Sequence, residues 1–485
     1  MRKLCLIAGG IGSHLKPKFI KMIHAGKHRG RDSFGVWTNE GVLRSDNFDE
    51  ISAIPDGRIG LIQCRLAIVG SRTHTQPFVN EISLVHNGEI YNHLLLRDYL
   101  QKQGMSFESD VDSEVILRLI EYFFGMGLSI SDTIRRVMFM LNGDYAVAFS
   151  DNKKEKIYLF RDPVGIRPLY YSPNGFFASE KKVLWSIGEE AYPVKPGHLV
   201  EISKTGIKSI QIFSLSELTG KSFEFQKSEV SLSKMLDYSI RLRSPKNVGV
   251  LFSGGLDSSI LALLASKYSN VILYTAGAEG SPDLEWARKV SEKLGLKLRE
   301  FVFDLDDVEN AVGNVIFAIE ENNAMNLAIG IPLYFATKLA YRDRIKVLLS
   351  GQGADELFGG YYKYLRDPSL MYRDIFNLSE RNLARDDKVA MFNSVEGRFP
   401  FLDLNIIRIA LRTPVWYKIN DNTRKYLLRR VALRLGLPEE VALREKKACQ
   451  YGTSSQKLLK KIAKKYGMSM SSYTQLAFKK VFKRN

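Results

Sequence analysis

The string VLFSGGLDSS at residues 250–259 holds residue types, at a spacing, suited to gripping a polyphosphate. Val250, Leu251 and Phe252 form an apolar strand end. Ser253, Gly254 and Gly255 then turn the backbone so that its N–H groups converge. Ser258 and Ser259 open a helix whose N-terminus adds a positive dipole. No lysine follows the glycines, which sets the loop apart from the GxxxxGK(S/T) pattern. Asp257, inside the loop, suits a magnesium ion, which takes one or two carboxylates plus phosphate oxygens. A second apolar run, Lys346 to Leu349, leads into Ser350 and Gly351 and then to Asp355 and Glu356. Asp355 is the second metal candidate. Glu356 reads as a helix-capping charge and stays outside the metal site. Ligands of open α/β sheets bind at the carboxyl ends of strands, so both loops are expected to face one crevice.

The surrounding pattern supplies that sheet. From about residue 230, KNVGVLFSGG, LDSSILALLASKY, NVILYTAG, LEWARKVSEKLG and KLREFVF alternate strands with amphipathic helices. This alternation predicts a doubly wound parallel α/β sheet. The earlier part, to about residue 205, instead alternates short β-rich runs (LIQCRLAIVG, YAVAFSD, KIYLFRD) with turn signals and helices such as SEVILRLIEYFFGMG. Between them lies a polar stretch with weak periodicity. The expected domains are therefore 5–205 and 230–485, with 206–229 as the connection.

A chain of 485 residues, 45% hydrophobic and 25% charged, has the composition of a soluble two- or three-domain protein. No apolar run approaches the roughly 20 residues of a membrane span. The N-terminus is too short for a signal peptide, so a cytoplasmic location is expected. Cys5, Cys64 and Cys449 are odd in number and far apart, which speaks against a disulfide framework, and no CxxC or HExxH spacing suggests zinc. The net charge of +17 fits a nucleic-acid partner or a surface that handles anionic nucleotides. A solvated basic face ranks above nucleic acid, because outside the C-terminal tail the basic residues are scattered.

HRGRDSFGVW (28–37), CRLAIVG (64–70), LVHNGEIYN (84–92), SDVDSEVIL (109–117), RDPVGIRPLYY (161–171), FASEKKVL (177–184) and VEGRFPFLD (395–403) run in order around the SGGLDSS loop. Together they resemble the glutamine-dependent asparagine synthetases over nearly the whole chain. The resemblance implies an N-terminal-nucleophile hydrolase domain of αββα layering, followed by an ATP-pyrophosphatase synthetase domain. It implies Cys5 as the nucleophile that releases ammonia from glutamine, with its own α-amine as base; an α-amine titrates at about 8. Asn87 and Gly88 would form the oxyanion hole. Arg65 would hold the α-carboxylate of glutamine, and Glu89 and Asp112 its ammonium group. Taken alone, Asn87-Gly88 also reads as a type I′ hairpin turn, Arg65 as a plain ion-pair residue, and Glu89 and Asp112 as surface charges.

For ATP as substrate, the resemblance implies Leu251, Ser253, Gly254, Gly255, Leu256, Asp257, Ser258, Ser259, Ala276, Ser350 and Gly351. Mg²⁺ would sit on Asp257 and Asp355. Lys446 is implied as the basic residue that stabilises pyrophosphate departure or acyl transfer, with Lys447 as the adjacent alternative. Aspartate would be adenylated and then amidated by ammonia passed through a tunnel. The family's second loop usually reads SGEGSDE, so Gln352 stands where an intermediate-forming glutamate is expected. Ala328, in NNAMNLAIGIP, falls where an arginine is expected. Cys5 follows Met1, Arg2, Lys3 and Leu4 rather than the initiator alone, so a leader or a misplaced start is expected. Amidation of another acid, a cyclising ligase and a tRNA-modifying enzyme are the rival readings. The oligomeric state stays open, a homodimer among the alternatives.

Overall fold

The computed structural model of the protein describes residues 3–67, 76–445 and 449–483. It divides into two compact units, Met1–Glu217 and Leu218–Asn485. Among the described residues, no helix is long and apolar enough to cross a membrane.

The first unit is built on strand β1 (Lys3–Ile11), followed by helix α1 (Leu15–Gly26). Strands β2 (Ile59–Ala67) and β3 (Ile82–Ile90), helix α2 (Asp112–Gly125) and strand β4 (Gly143–Asp151) come next. Alternation along β1 sets the layering, because successive side chains of a strand point to opposite faces. Leu6 and Ala8 pack with Leu15, Phe19, Met22 and Ile23 of α1. Ile7 and Ile11 pack instead with Val85 of β3 and with Ala146 and Ala148 of β4. Two antiparallel layers thus face each other, β1 pairing with β2 along its full length and β3 with β4 along theirs. Helix α2 covers β3 on the outer side. This is the αββα arrangement. Residues 206–229, read from sequence as connection, hold strand β6 (Gly206–Gln211), paired with β5 (His198–Ser203), and the start of helix α3 (Phe225–Arg243).

The second unit carries a five-stranded, wholly parallel sheet. Its elements include β7 (Asn247–Leu251), helix α4 (Leu256–Ala265), β8 (Asn270–Gly277), β9 (Lys297–Val302) and helix α5 (Ala324–Arg342). Strand β10 (Val347–Leu349), helix α6 (Ala384–Phe392), β11 (Glu396–Arg398) and helix α7 (Tyr426–Arg434) follow. The spatial order is β9-β8-β7-β10-β11. Winding reverses between β7 and β10, and the carboxyl ends of strands at such a switch point leave a crevice. The two loops singled out in the sequence leave these two strands.

Candidate functional site

Cys5 lies inside β1 and is fully buried, in direct register with Arg65 on β2. Gln63 Nε2 donates to Cys5 Sγ at 2.7 Å, and Arg29 Nε reaches the Cys5 carbonyl at 3.4 Å. Arg29 in turn pairs with the buried Glu180, as do His28 and Lys182. Burial alone would raise the Glu180 carboxyl; Lys182, His28 and Arg29 together hold it well below the usual range. The other buried cysteine is inert by comparison, since burial pushes the Cys64 thiol far up.

Asn87 and Gly88 sit within the nine residues of β3, not in a hairpin turn. The Cys5 N–H donates to Asn87 Oδ1 at 3.1 Å, which orients the amide. Its other end, Nδ2, is buried with no hydrogen-bond partner among the described residues. A buried, unpaired donor costs about 1–3 kcal/mol, so its position beside a thiol points to a ligand oxygen as its acceptor. Gly88 has φ +141°, and a Cβ there would lie 1.9 Å from the Asp144 carbonyl oxygen. Only glycine fits this approach of β3 to β4. Asp112, at the head of α2, accepts from the Ile90 N–H through Oδ2 at 2.9 Å. Its Oδ1 is buried without a hydrogen-bond partner among the described residues. Glu89 and Arg65 are buried as well. None of the three is a surface charge, and an unpaired carboxylate oxygen at Asp112 suits an ammonium group.

In the second unit, a cavity of about 410 Å³ opens at the switch point. Leu251, Ser253, Gly255, Leu256, Asp257, Ser258 and Ala276 line it from the β7 and β8 side, and Ser350, Gly351, Gln352 and Asp355 from the β10 side. Gly254 and Ser259 lie outside its lining. Gly254 takes φ +67°, and its carbonyl accepts from Trp286 Nε1 at 2.8 Å, which clamps the turn. Ser259 is buried within α4. Glu356 is no solvated cap: it is buried, and desolvation raises its carboxyl. It holds the cavity-lining Tyr361 and Asn382 through Oε1, at 2.9 and 3.1 Å.

Asp257 and Asp355 converge on a residue that sequence reading missed. Lys425 Nζ lies 2.7 and 2.6 Å from the two oxygens of Asp257 and 2.7 Å from Asp355 Oδ1. Lys425 precedes α7 with φ +57°, a left-handed conformation rare for lysine and a mark of a constrained functional position. Burial lowers its pKa and the Asp257 carboxylate opposes that shift. Two carboxylates against one ammonium leave a net negative charge facing the cavity, which fits a cation bound jointly with phosphate oxygens. Among the described residues no group of three or more His, Cys, Asp or Glu side chains could hold a metal by itself. Arg385 and Asp386, also unflagged by the sequence, line the same cavity beside Gln352. Ala328 is buried in α5, its carbonyl accepting from Ser455 Oγ at 2.7 Å. Lys446 and Lys447 lie outside the described residues.

Residues 234–371 and 368–484 match the family model for asparagine synthase, and residues 4–217 that for a glutamine amidotransferase domain. A Methanocaldococcus jannaschii relative, named as a glutamine-hydrolysing asparagine synthetase, is 36% identical over 96% of this chain and 96% of its own length. Asparagine synthetase B of Escherichia coli K12 is 29% identical over 89% of this chain and 78% of its own. Asparagine synthetase 2 of Arabidopsis thaliana is 29% identical over 79% of this chain and 69% of its own. Fold and matched domains define the class: a glutamine amidotransferase domain followed by a synthase domain on a doubly wound sheet. The chain belongs to the glutamine-dependent asparagine synthetase family.

Proposed function

We propose that the protein is a cytoplasmic, glutamine-hydrolysing asparagine synthetase, an ATP-dependent carbon–nitrogen ligase that converts aspartate to asparagine. In the first unit, the Cys5 thiolate attacks the amide carbon of glutamine after the Cys5 α-amine takes its proton. Asn87 Nδ2 and the Gly88 N–H stabilise the oxyanion, and ammonia leaves. Arg65 orients the substrate carboxylate, and Glu89 and Asp112 its ammonium group. Water then cleaves the thioester to glutamate.

In the second unit, the aspartate side-chain carboxylate attacks the α-phosphate of ATP, giving aspartyl-AMP and pyrophosphate. Ammonia displaces AMP. The Ser253–Gly255 turn and the start of α4 cradle the leaving pyrophosphate. Asp257 and Asp355 would hold Mg²⁺, which when bound neutralises polyphosphate charge. Lys425 keeps the two carboxylates together, and Lys446 is the proposed cation for the departing group.

The unpaired Asn87 Nδ2 beside Cys5 carries this reading, because a glutaminase domain reduced to scaffold has no reason to keep a buried orphan donor. Mass spectrometry of products from ATP, glutamine and a panel of amino acids tests it. Asparagine, glutamate, AMP and pyrophosphate in equal amounts are expected; an amidated product from a different acid replaces aspartate as the acceptor.

A further inference from the structure

The Gln352 side chain does not point at the Asp257–Lys425–Asp355 triad. Its Nε2 donates to Asp386 Oδ2 at 2.5 Å. Asp386 Oδ1 accepts from Arg385, whose Nε and Nη2 both lie 2.8 Å away. Arg385 Nη1 donates to Asn326 Oδ1 at 3.2 Å, and Asn326 is anchored to Glu321 at 2.6 Å. Arg385 and Asp386 are almost wholly buried, yet both line the cavity. A guanidinium has five N–H donors, and these contacts engage three of them. Asp386 Oδ2 accepts one bond and has lone-pair capacity left. The wall therefore presents one positive and one negative group side by side, next to Gln352 in the loop after β10.

We propose that Arg385, Asp386 and Gln352 form the acceptor subsite and select an α-amino acid by its zwitterion. The α-carboxylate meets the open edge of Arg385, and the α-ammonium meets Asp386 Oδ2. The side-chain carboxylate is then left toward Ser350 and Gly351, where adenylation occurs. Gln352 is a condition of this arrangement: a carboxylate at residue 352, at the same distance from Asp386, would repel it, whereas the amide donates to it. Arg385 supplies the cation that Ala328 does not, and it reaches α5 through Asn326, in the same turn region. The inference rests on the ligase reading above and adds to it the residues that hold the acceptor's α-amine and α-carboxylate.

The test is acid-dependent pyrophosphate release from ATP by the full chain, with aspartate, N-acetylaspartate, aspartate α-amide and succinate. Aspartate is expected to be preferred. Each analogue, having lost one partner of the pair, is expected to raise KM by about 10- to 100-fold, the worth of a charge-assisted hydrogen bond. Asp386→Asn and Arg385→Lys should raise the aspartate KM over the same range and narrow the aspartate-to-succinate ratio, while the KM for ATP stays put and reports an intact fold. Gln352→Glu should weaken aspartate use in the same direction. Equal use of succinate or N-acetylaspartate by the unaltered protein overturns the subsite and leaves the ligase standing, as does an unchanged aspartate KM in both variants. Pyrophosphate release that no acid stimulates removes the ligase reading itself, and the subsite with it.

Discussion

Lys425 Nζ sits 2.6 Å from Asp257 Oδ2, an ammonium placed against the carboxylate of the polyphosphate loop. The same nitrogen holds Asp355, so one lysine ties the loop after β7 to the loop after β10. Removing one member of a buried ion group typically costs about 3–5 kcal/mol, because the others are left uncompensated. Asp257→Asn or Asp355→Asn should abolish pyrophosphate release while glutamine hydrolysis, in the other unit, stays measurable. Lys425→Met should lose both thermal stability and pyrophosphate release. Equal loss of glutaminase and synthetase activity in the aspartate variants would count against this assignment.

The glutaminase site makes a separable prediction. Asn87→Ala removes the proposed oxyanion donor, and such a loss costs about 10²–10³ in kcat. Ammonia-dependent synthesis should continue unchanged. Gly88→Ala should be worse for folding, since its Cβ would meet the Asp144 carbonyl at 1.9 Å. Parallel glutamine- and ammonia-driven assays on both variants check this, and a fall in the ammonia-driven rate of Asn87→Ala would contradict it.

The sequence was legible where chemistry is written in contiguous strings. VLFSGGLDSS shows its strand, turn and helix locally, and residues 84–90 carry Asn87, Gly88 and Glu89 in one strand. The parallel sheet follows from period alone. Lys425, Arg385 and Asp386 were not legible, for a physical reason. Nothing in ARDDKV signals burial, yet Arg385, Asp386, Asp387 and Lys388 are all buried: Arg385 and Asp386 pair with each other and take hydrogen bonds with the distant Asn326 and Gln352, and Lys388 pairs with the distant Glu320. No local pattern reports such pairings. Within 206–229, β6 is hidden in a similar way: it is an exposed edge strand whose polar residues mask its pairing with β5.

Lys418 gives a pH prediction. It is buried, with the face of Tyr372 6.0 Å from its ammonium, and burial lowers its pKa to about 7. In the unfolded chain a lysine titrates at about 10.4. Below about pH 7 both states hold the proton, and this residue adds no slope. Between about 7 and 10 the unfolded state holds more protons than the folded one, so stability from this group rises with pH. Lys418→Met should therefore stabilise the protein by on the order of a few kcal/mol at pH 7, with the gain shrinking toward pH 10. Melting temperatures of both proteins across that range decide it; a gain constant with pH would mean that Lys418 titrates in the fold as it does in the unfolded chain.

The last prediction concerns the bond between Leu4 and Cys5. While that peptide bond exists, the nitrogen that donates to Asn87 Oδ1 is an amide, which has no basic lone pair to accept the thiol proton. Lys3 also lies in register with Gly88, so the preceding chain runs along the sheet position where the proposed oxyanion donor sits. Both facts set the chain that retains residues 1–4 against glutamine hydrolysis. A chain beginning at Cys5 keeps the hydrogen bond to Asn87 with an α-amine, which titrates at about 8 and can act as base near neutral pH. The active glutaminase should therefore begin at Cys5, and Cys5→Ala should lose glutamine-dependent synthesis while keeping the ammonia-dependent reaction. Intact mass measured on the same sample as the activity settles the matter: full glutaminase activity in a chain that still carries Met1 to Leu4 would rule out the α-amine as base.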